Sequence, residues 1–151
     1  MCLTYVKKEI FPPIKKMIGY QIVEPCGDGL SSEAYGCLTQ DYIYKRKGQV
    51  RSIARRNKNY QITASLGCKY YTCGFHVIQS LKQAKFWLNY CSSYSYQAVL
   101  VKCEIYDVHT LGVQMNSHVY IAPKMKIIEE VAVSPELKKY RERCGVPILN
   151  P

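Results

Sequence analysis

From Gln97 onward the chain alternates. In QAVLVKCEIYDV, residues Val99, Val101, Cys103 and Ile105 fall on one face of an extended backbone and Leu100, Lys102 and Glu104 on the other, the two-residue period of a strand. HVYIA, from His118, and KMKIIEEV, from Lys124, predict further strands divided by Pro123, with extended chain running on to Val133. Upstream, MIGYQIVE predicts a first strand over residues 17 to 24. Ile18, Tyr20 and Ile22 share one of its faces, and Pro25, Gly27 and Gly29 close it in a turn. Tyr70 to Ile78 is rich in aromatic and β-branched residues and predicts a strand in which Gly74 marks a bulge or a close backbone approach.

Two stretches change period. Over about residues 80–91, Leu81, Ala84, Trp87, Leu88 and Cys91 recur at helical spacing, and Ser80 with Gln83 has the spacing of a capping box. A second helix is expected over about 134–144. Ser134 would be its N-cap, Pro135 its first helical residue, Glu136 sits near its positive end, and Gly145 follows its last turn. Residues 1–16 are expected as an N-terminal arm, because Pro12-Pro13 cannot continue a helix or a central strand. The remaining 17–151 predict a single α+β domain, a mostly antiparallel sheet with one central helix and a C-terminal helix.

At 151 residues and 48% hydrophobic content the chain can bury a real core without disulfides or metal. No apolar run reaches the length of a membrane span, and the first residues lack the apolar segment and cleavage site of a secretory signal. The eight cysteines are scattered and are expected to be reduced thiols rather than a disulfide framework. A formal charge of +10 points to a polyanionic partner: nucleic acid, an acidic protein surface or an anionic membrane. Within DYIYKRKGQVRSIARRNKNY, the residues Lys45, Arg46, Lys47, Arg51, Arg55, Arg56 and Lys58 have no acid among them and are interleaved with tyrosines. Lys and Arg neutralise phosphates while Tyr rings stack on bases, so this segment is the expected binding segment; the plainer reading is a solvated basic loop or strand pair.

Chemistry-bearing spacings are sparse. Cys68, Cys73 and His76, with Cys91 nearby, are the only thiolate and imidazole grouping with any resemblance to a zinc set; without a paired CxxC, no metal is expected. His76 has no acidic neighbour in sequence and reads as a satisfied core histidine, and Trp87 reads as core. The chain has no GxSxG, P-loop, HExxH or GxGxxG. A Cys-His pair of Cys73 with His109 or His118 would need the fold to bring its members together.

The succession GYQIV, LGCKYYTCGFHVIQSLKQAKFWL, AVLVKCEIYDVHTLG and YIAPKMKIIEEV resembles a family of small, largely uncharacterised domains of phages and large DNA viruses, over about residues 17 to 131. Gly74-Phe75-His76 with Ala84 at fixed spacing is the most specific part. The resemblance implies a viral protein in the host cytoplasm or the virion and a compact domain, with no established chemistry. With the basic charge and the 14 tyrosines it implies a non-enzymatic binding or structural protein, minor capsid-like, docking on virion proteins or on nucleic acid. More distantly the succession is similar to ADP-ribosyltransferase folds. That similarity implies an alternative, an active or degenerate NAD-using enzyme acting in host interference, with Tyr20, His76, Ser80 and Glu130 (or Glu129) as its site. The cation those folds carry on the first strand is missing, since Gln21 follows Tyr20.

Overall fold

The computed structural model describes residues 3–26, 29–31, 54–55, 61–64, 66, 69–72, 74–92 and 98–144. In chain order these form strands β1 (Tyr5–Cys26), β2 (Gly29–Ser31), β3 (Ala54–Arg55), β4 (Gln61–Thr63), β5 (Tyr70–Thr72) and β6 (Phe75–Ile78). Helix α1 (Leu81–Ser92), strands β7 (Val99–Gln114), β8 (Ser117–Ala122) and β9 (Lys124–Val133), and helix α2 (Pro135–Cys144) complete the order. The α+β plan expected from the residues holds: a mostly antiparallel sheet with two short helices.

The main sheet has seven strands in the order β2-β1-β6-β8-β7-β9-β3, and β1 pairs in addition with β7. That extra ladder, from Tyr5↔Val113 to Val23↔Val99, together with Tyr20↔Ile78 between β1 and β6, closes β1, β7, β8 and β6 into a ring. β4 and β5 form a separate two-stranded sheet. Gly19 is required where the ring closes, because a Cβ there would lie 2.2 Å from Val77 Cγ1 and 3.1 Å from the Ile78 carbonyl oxygen.

β7 changes partner partway along. Its residues up to Tyr106 pair with β9, and those from Thr110 pair with β8. Between the two stretches Asp107 takes a left-handed backbone, φ 59°, which Asp tolerates better than most residues. Pro123 divides the two partner strands, and Lys124 Nζ donates to Asp107 Oδ2 at 2.7 Å across the corner. At the far end, Met115 and Asn116 both have positive φ (43° and 62°), as a two-residue type I′ hairpin demands.

The alternation predicted for β7 is realised as two core layers. Leu100, Ile22, Ile78, Val119 and Ile121 meet Ala84, Trp87 and Leu88 of α1; Val99, Val101, Cys103, Ile105, Phe75 and Met125 meet Leu137 of α2. Both helices start as their caps predict: Ser80 Oγ accepts from Gln83 N at 3.4 Å, and Ser134 Oγ from Leu137 N at 3.2 Å. Cys103 is a buried free thiol 3.5 Å from the Gly19 carbonyl oxygen, and burial pushes its pKa up, so it is an unreactive core residue.

The expected boundary at residue 16 is not a break in the backbone, because β1 runs through it. The prolines are accommodated because β1 leaves the ladder around them. Glu9 pairs with Thr110 and Ile14 with Val108, so residues 10 to 13 face the single residue His109 and no ladder N–H is asked of Pro12 or Pro13. Likewise Tyr70 to Ile78 is two strands rather than one, parted at Gly74.

One buried side chain is poorly served. Both amide atoms of Gln114, which is 1% exposed, lack a hydrogen-bond partner. Gln114→Met removes this desolvated amide at similar volume. It is expected to raise the unfolding free energy by about 1 kcal/mol, read as a shift in denaturant midpoint at constant slope. A lower midpoint would show that the amide is satisfied in solution.

Candidate functional site

The residues singled out for chemistry have mostly structural neighbours. His76, 2% exposed, lies on β6 with Nδ1 3.2 Å from the Gly74 carbonyl oxygen, which can only accept, so Nδ1 carries the proton. In the neutral ring Nε2 then accepts from the Tyr71 hydroxyl at 3.0 Å, and that hydroxyl in turn accepts from Leu3 N at 3.1 Å. This chain of bonds ties the start of the polypeptide to the core, where Leu3 is fully buried against Gly112. Ser80 caps α1.

Tyr20 and Glu130 stand apart from one another. Gln21, Val101 and Glu130 form one row across β1, β7 and β9, while Tyr20, Lys102 and Glu129 form the next, so Glu130 occupies the face opposite Tyr20. It is Glu129 that shares the Tyr20 face. Of the four residues, Tyr20, His76 and Ser80 lie on or next to the β1–β6 junction, and Glu130 does not join them.

Cys68 and Cys73 lie outside the described residues, and among the described residues no group of His, Cys, Asp and Glu could hold a metal ion. His109 Nδ1 instead meets Thr110 Oγ1 at 2.8 Å, and His118 Nε2 accepts from Lys7 at 3.4 Å. Of the basic segment, Lys45, Arg46, Lys47, Arg51, Arg56 and Lys58 lie outside the described residues. Arg55 is in β3, whose backbone pairs with β9 so that position 55 stands opposite Lys124.

That pairing leads to a surface that the residues alone did not disclose. On the face that α1 covers at Ile22 and Leu100, the sheet continues beyond Tyr20 as three rows: Tyr20–Lys102–Glu129, Ile18–Glu104–Lys126 and Lys16–Tyr106–Lys124. Position 55 extends the last row. The face is half-exposed, with Ile18 at 40% near its centre. Alternation puts Ile18 and Tyr20 on the face of Ile22, and Lys102 and Glu104 on the face of Leu100; only the register shows that these faces abut.

Ion pairs hold the long side chains in place. Glu104 Oε1 is 2.6 Å from Lys16 Nζ, and its Oε2 accepts from the Tyr106 hydroxyl, also at 2.6 Å. Lys16 stands 6.0 Å from the centre of the Tyr106 ring. Lys102 pairs with Glu129 at 3.3 Å and Lys124 with Asp107 at 2.7 Å. The bonds from Lys16 and Tyr106 hold the Glu104 carboxyl below the usual carboxylate range; the bond to Glu104 raises the Lys16 ammonium and the Tyr106 phenol. At neutral pH Glu104 and Lys16 are therefore charged and Tyr106 is neutral. Such exposed pairs add little stability, but they fix where the lysines and rings stand. Lys126 has no ion pair at contact distance among the described residues and acts on Glu104 through space.

On this face Tyr20 packs against the α1 layer, Lys16, Lys102 and Lys124 are paired with carboxylates, and Tyr106 and Lys126 stand beside position 55. Comparison of the chain with protein-family models, with curated proteins and with solved structures returns no match.

Proposed function

We propose that the protein is a non-enzymatic binding protein that holds single-stranded nucleic acid on the open face of β1, β7 and β9, with position 55 of the basic segment in β3 beside it. The observation that carries this reading is the set of three rows, in which Tyr20 and Tyr106 stand among Lys16, Lys102, Lys124 and Lys126. Tyr106 is four residues along β7 from Lys102, the partner of Tyr20. That is about 13 Å along the strand, and because Tyr20 packs against the α1 layer it is Tyr106 that offers a base its ring. Bases stack on such rings only where they are unpaired, which favours single strands over duplex. The engagement of His76 and Ser80 in structural hydrogen bonds supports the non-enzymatic part of the reading. The viral setting and a place among virion proteins are supported by the resemblance of residues 17 to 131.

The test is fluorescence anisotropy of a labelled single-stranded oligonucleotide across a salt series. Tyr106→Ala is expected to weaken binding by about 1–3 kcal/mol. Lys126→Ala is expected to flatten the log–log salt slope by about 0.7, and replacing Arg51, Arg55 and Arg56 together by about 2. Variants that bind and titrate like the wild type would remove the nucleic-acid reading. Nuclease-resistant co-purification with coat proteins would then favour a protein partner.

A further inference from the structure

A second surface lies nearer the start of the same strand, and it does not depend on the nucleic-acid reading. Residues 7 to 16 read Lys-Lys-Glu-Ile-Phe-Pro-Pro-Ile-Lys-Lys, an apolar centre between two lysine pairs. The structure turns this pattern into a protrusion. Because four residues of β1 face only His109 of β7, the chain is thrown outward between Glu9 and Ile14.

Phe11 sits on that protrusion at 94% exposure, the highest of the large exposed hydrophobic residues described, with Pro12 and Pro13 exposed beside it and Ile14 at 39%. A lone exposed aliphatic side chain is ordinary. A fully presented aromatic ring on a projecting segment, followed by three further exposed apolar residues, is not. The prolines matter a second time here, because each lacks an N–H. The outward backbone therefore carries fewer donors to be desolvated if the tip enters an apolar medium.

The charges around the tip specify what that medium is. Lys7, Lys8 and Lys15 are exposed, and Glu9 is the only acid in the stretch. Lys16 is held by Glu104, and Lys7 stands beside the exposed His118. An exposed apolar tip with exposed lysines on either side along the chain complements a soft surface that is apolar inside and anionic outside. We propose that this segment is a peripheral membrane anchor: Phe11 enters the interface of a bilayer containing anionic lipids while Lys7, Lys8 and Lys15 lie among the headgroups. No helix among the described residues is long and apolar enough to cross a membrane, and this mode of attachment needs none.

Flotation of the full chain with vesicles of phosphatidylcholine, with and without phosphatidylserine, tests the assignment. Binding is expected only to the anionic vesicles and to weaken with salt. Lys8→Gln and Lys15→Gln should each lower the partition coefficient about fivefold, and Phe11→Asp should abolish flotation. Because Trp87 is fully buried, Phe11→Trp adds one exposed indole over a constant background. Its emission should move to the blue on anionic vesicles and be quenched by brominated lipid. Absence of flotation on anionic vesicles would overturn the proposal. So would flotation that survives Phe11→Asp, which would be diffuse attraction of a basic protein, or capture of a protein through Phe11 with no vesicle binding. Phe11→Asp should bind the oligonucleotide as the wild type does, so loss of one activity is distinguishable from loss of the other and from misfolding.

Discussion

Trp87→Ala is expected to lower the unfolding free energy by about 4 kcal/mol and the melting temperature by about 8–16 °C. Trp87 is fully buried at the centre of the layer between α1 and the sheet. Its ring meets Tyr90 edge-on at 6.0 Å, and its Nε1 donates to Ser117 Oγ at 3.0 Å, next to the β7–β8 turn. Truncation therefore opens a cavity and leaves the buried Ser117 hydroxyl without its donor. Ser117→Ala separates the two effects, since it removes the acceptor and leaves the indole packed. It is expected to cost about 1–2 kcal/mol, and an equal cost for both variants would show that the hydrogen bond rather than the packing dominates. Equilibrium denaturation of the two variants beside the wild type decides the matter.

Gly74→Ala is expected to be nearly as damaging, by about 3 kcal/mol, although it adds a single methyl group. A Cβ at residue 74 would lie 2.6 Å from the Ala122 carbonyl oxygen, 2.7 Å from Ile121 Cγ2 and 2.9 Å from the Ala122 carbonyl carbon. Two of these atoms are backbone, so no rotamer change relieves the clash and β8 must move. That movement would disturb the Phe75↔Ala122 and His76↔Ile121 pairs, and with them the bond from His76 to the Gly74 carbonyl. Amide exchange should show the loss concentrated in β6 and β8 and at Leu3, which is linked to His76 through Tyr71. A thermal midpoint close to that of the wild type would mean that the strands are less tightly apposed than described.

How far the residues disclosed this arrangement depends on whether the information is local. α1 was legible because its cap, Ser80, and its apolar spacing lie within a dozen residues, and α2 because Ser134, Pro135 and Gly145 mark its two ends. β7 was legible because its alternation runs unbroken from Val99 to Ile105. Gly74 could be singled out as a close approach, but its neighbours on β8 could not be named. The prolines at 12 and 13 suggested an arm because a proline cannot serve a ladder. The bulge opposite His109, which lets the ladder resume at Ile14, is a property of two strands far apart in sequence. The open face illustrates the same limit. Lys16 was expected in an arm and Tyr106 and Lys124 in separate strands, and only the non-local register sets them side by side. It also decides that Glu129, not Glu130, shares a face with Tyr20.

The ladder between β1 and β7 joins residues about 80–110 positions apart, so on the ribosome β1 waits about 5–20 s at ordinary synthesis rates for β7. During that interval the residues of β1 ahead of Tyr20, Phe11 among them, lack the strand they pair with. The lysine pairs on either side of Phe11 then do a job unconnected with any ligand, keeping an unpartnered apolar strand soluble and repelling its copies on neighbouring ribosomes until β7 is made.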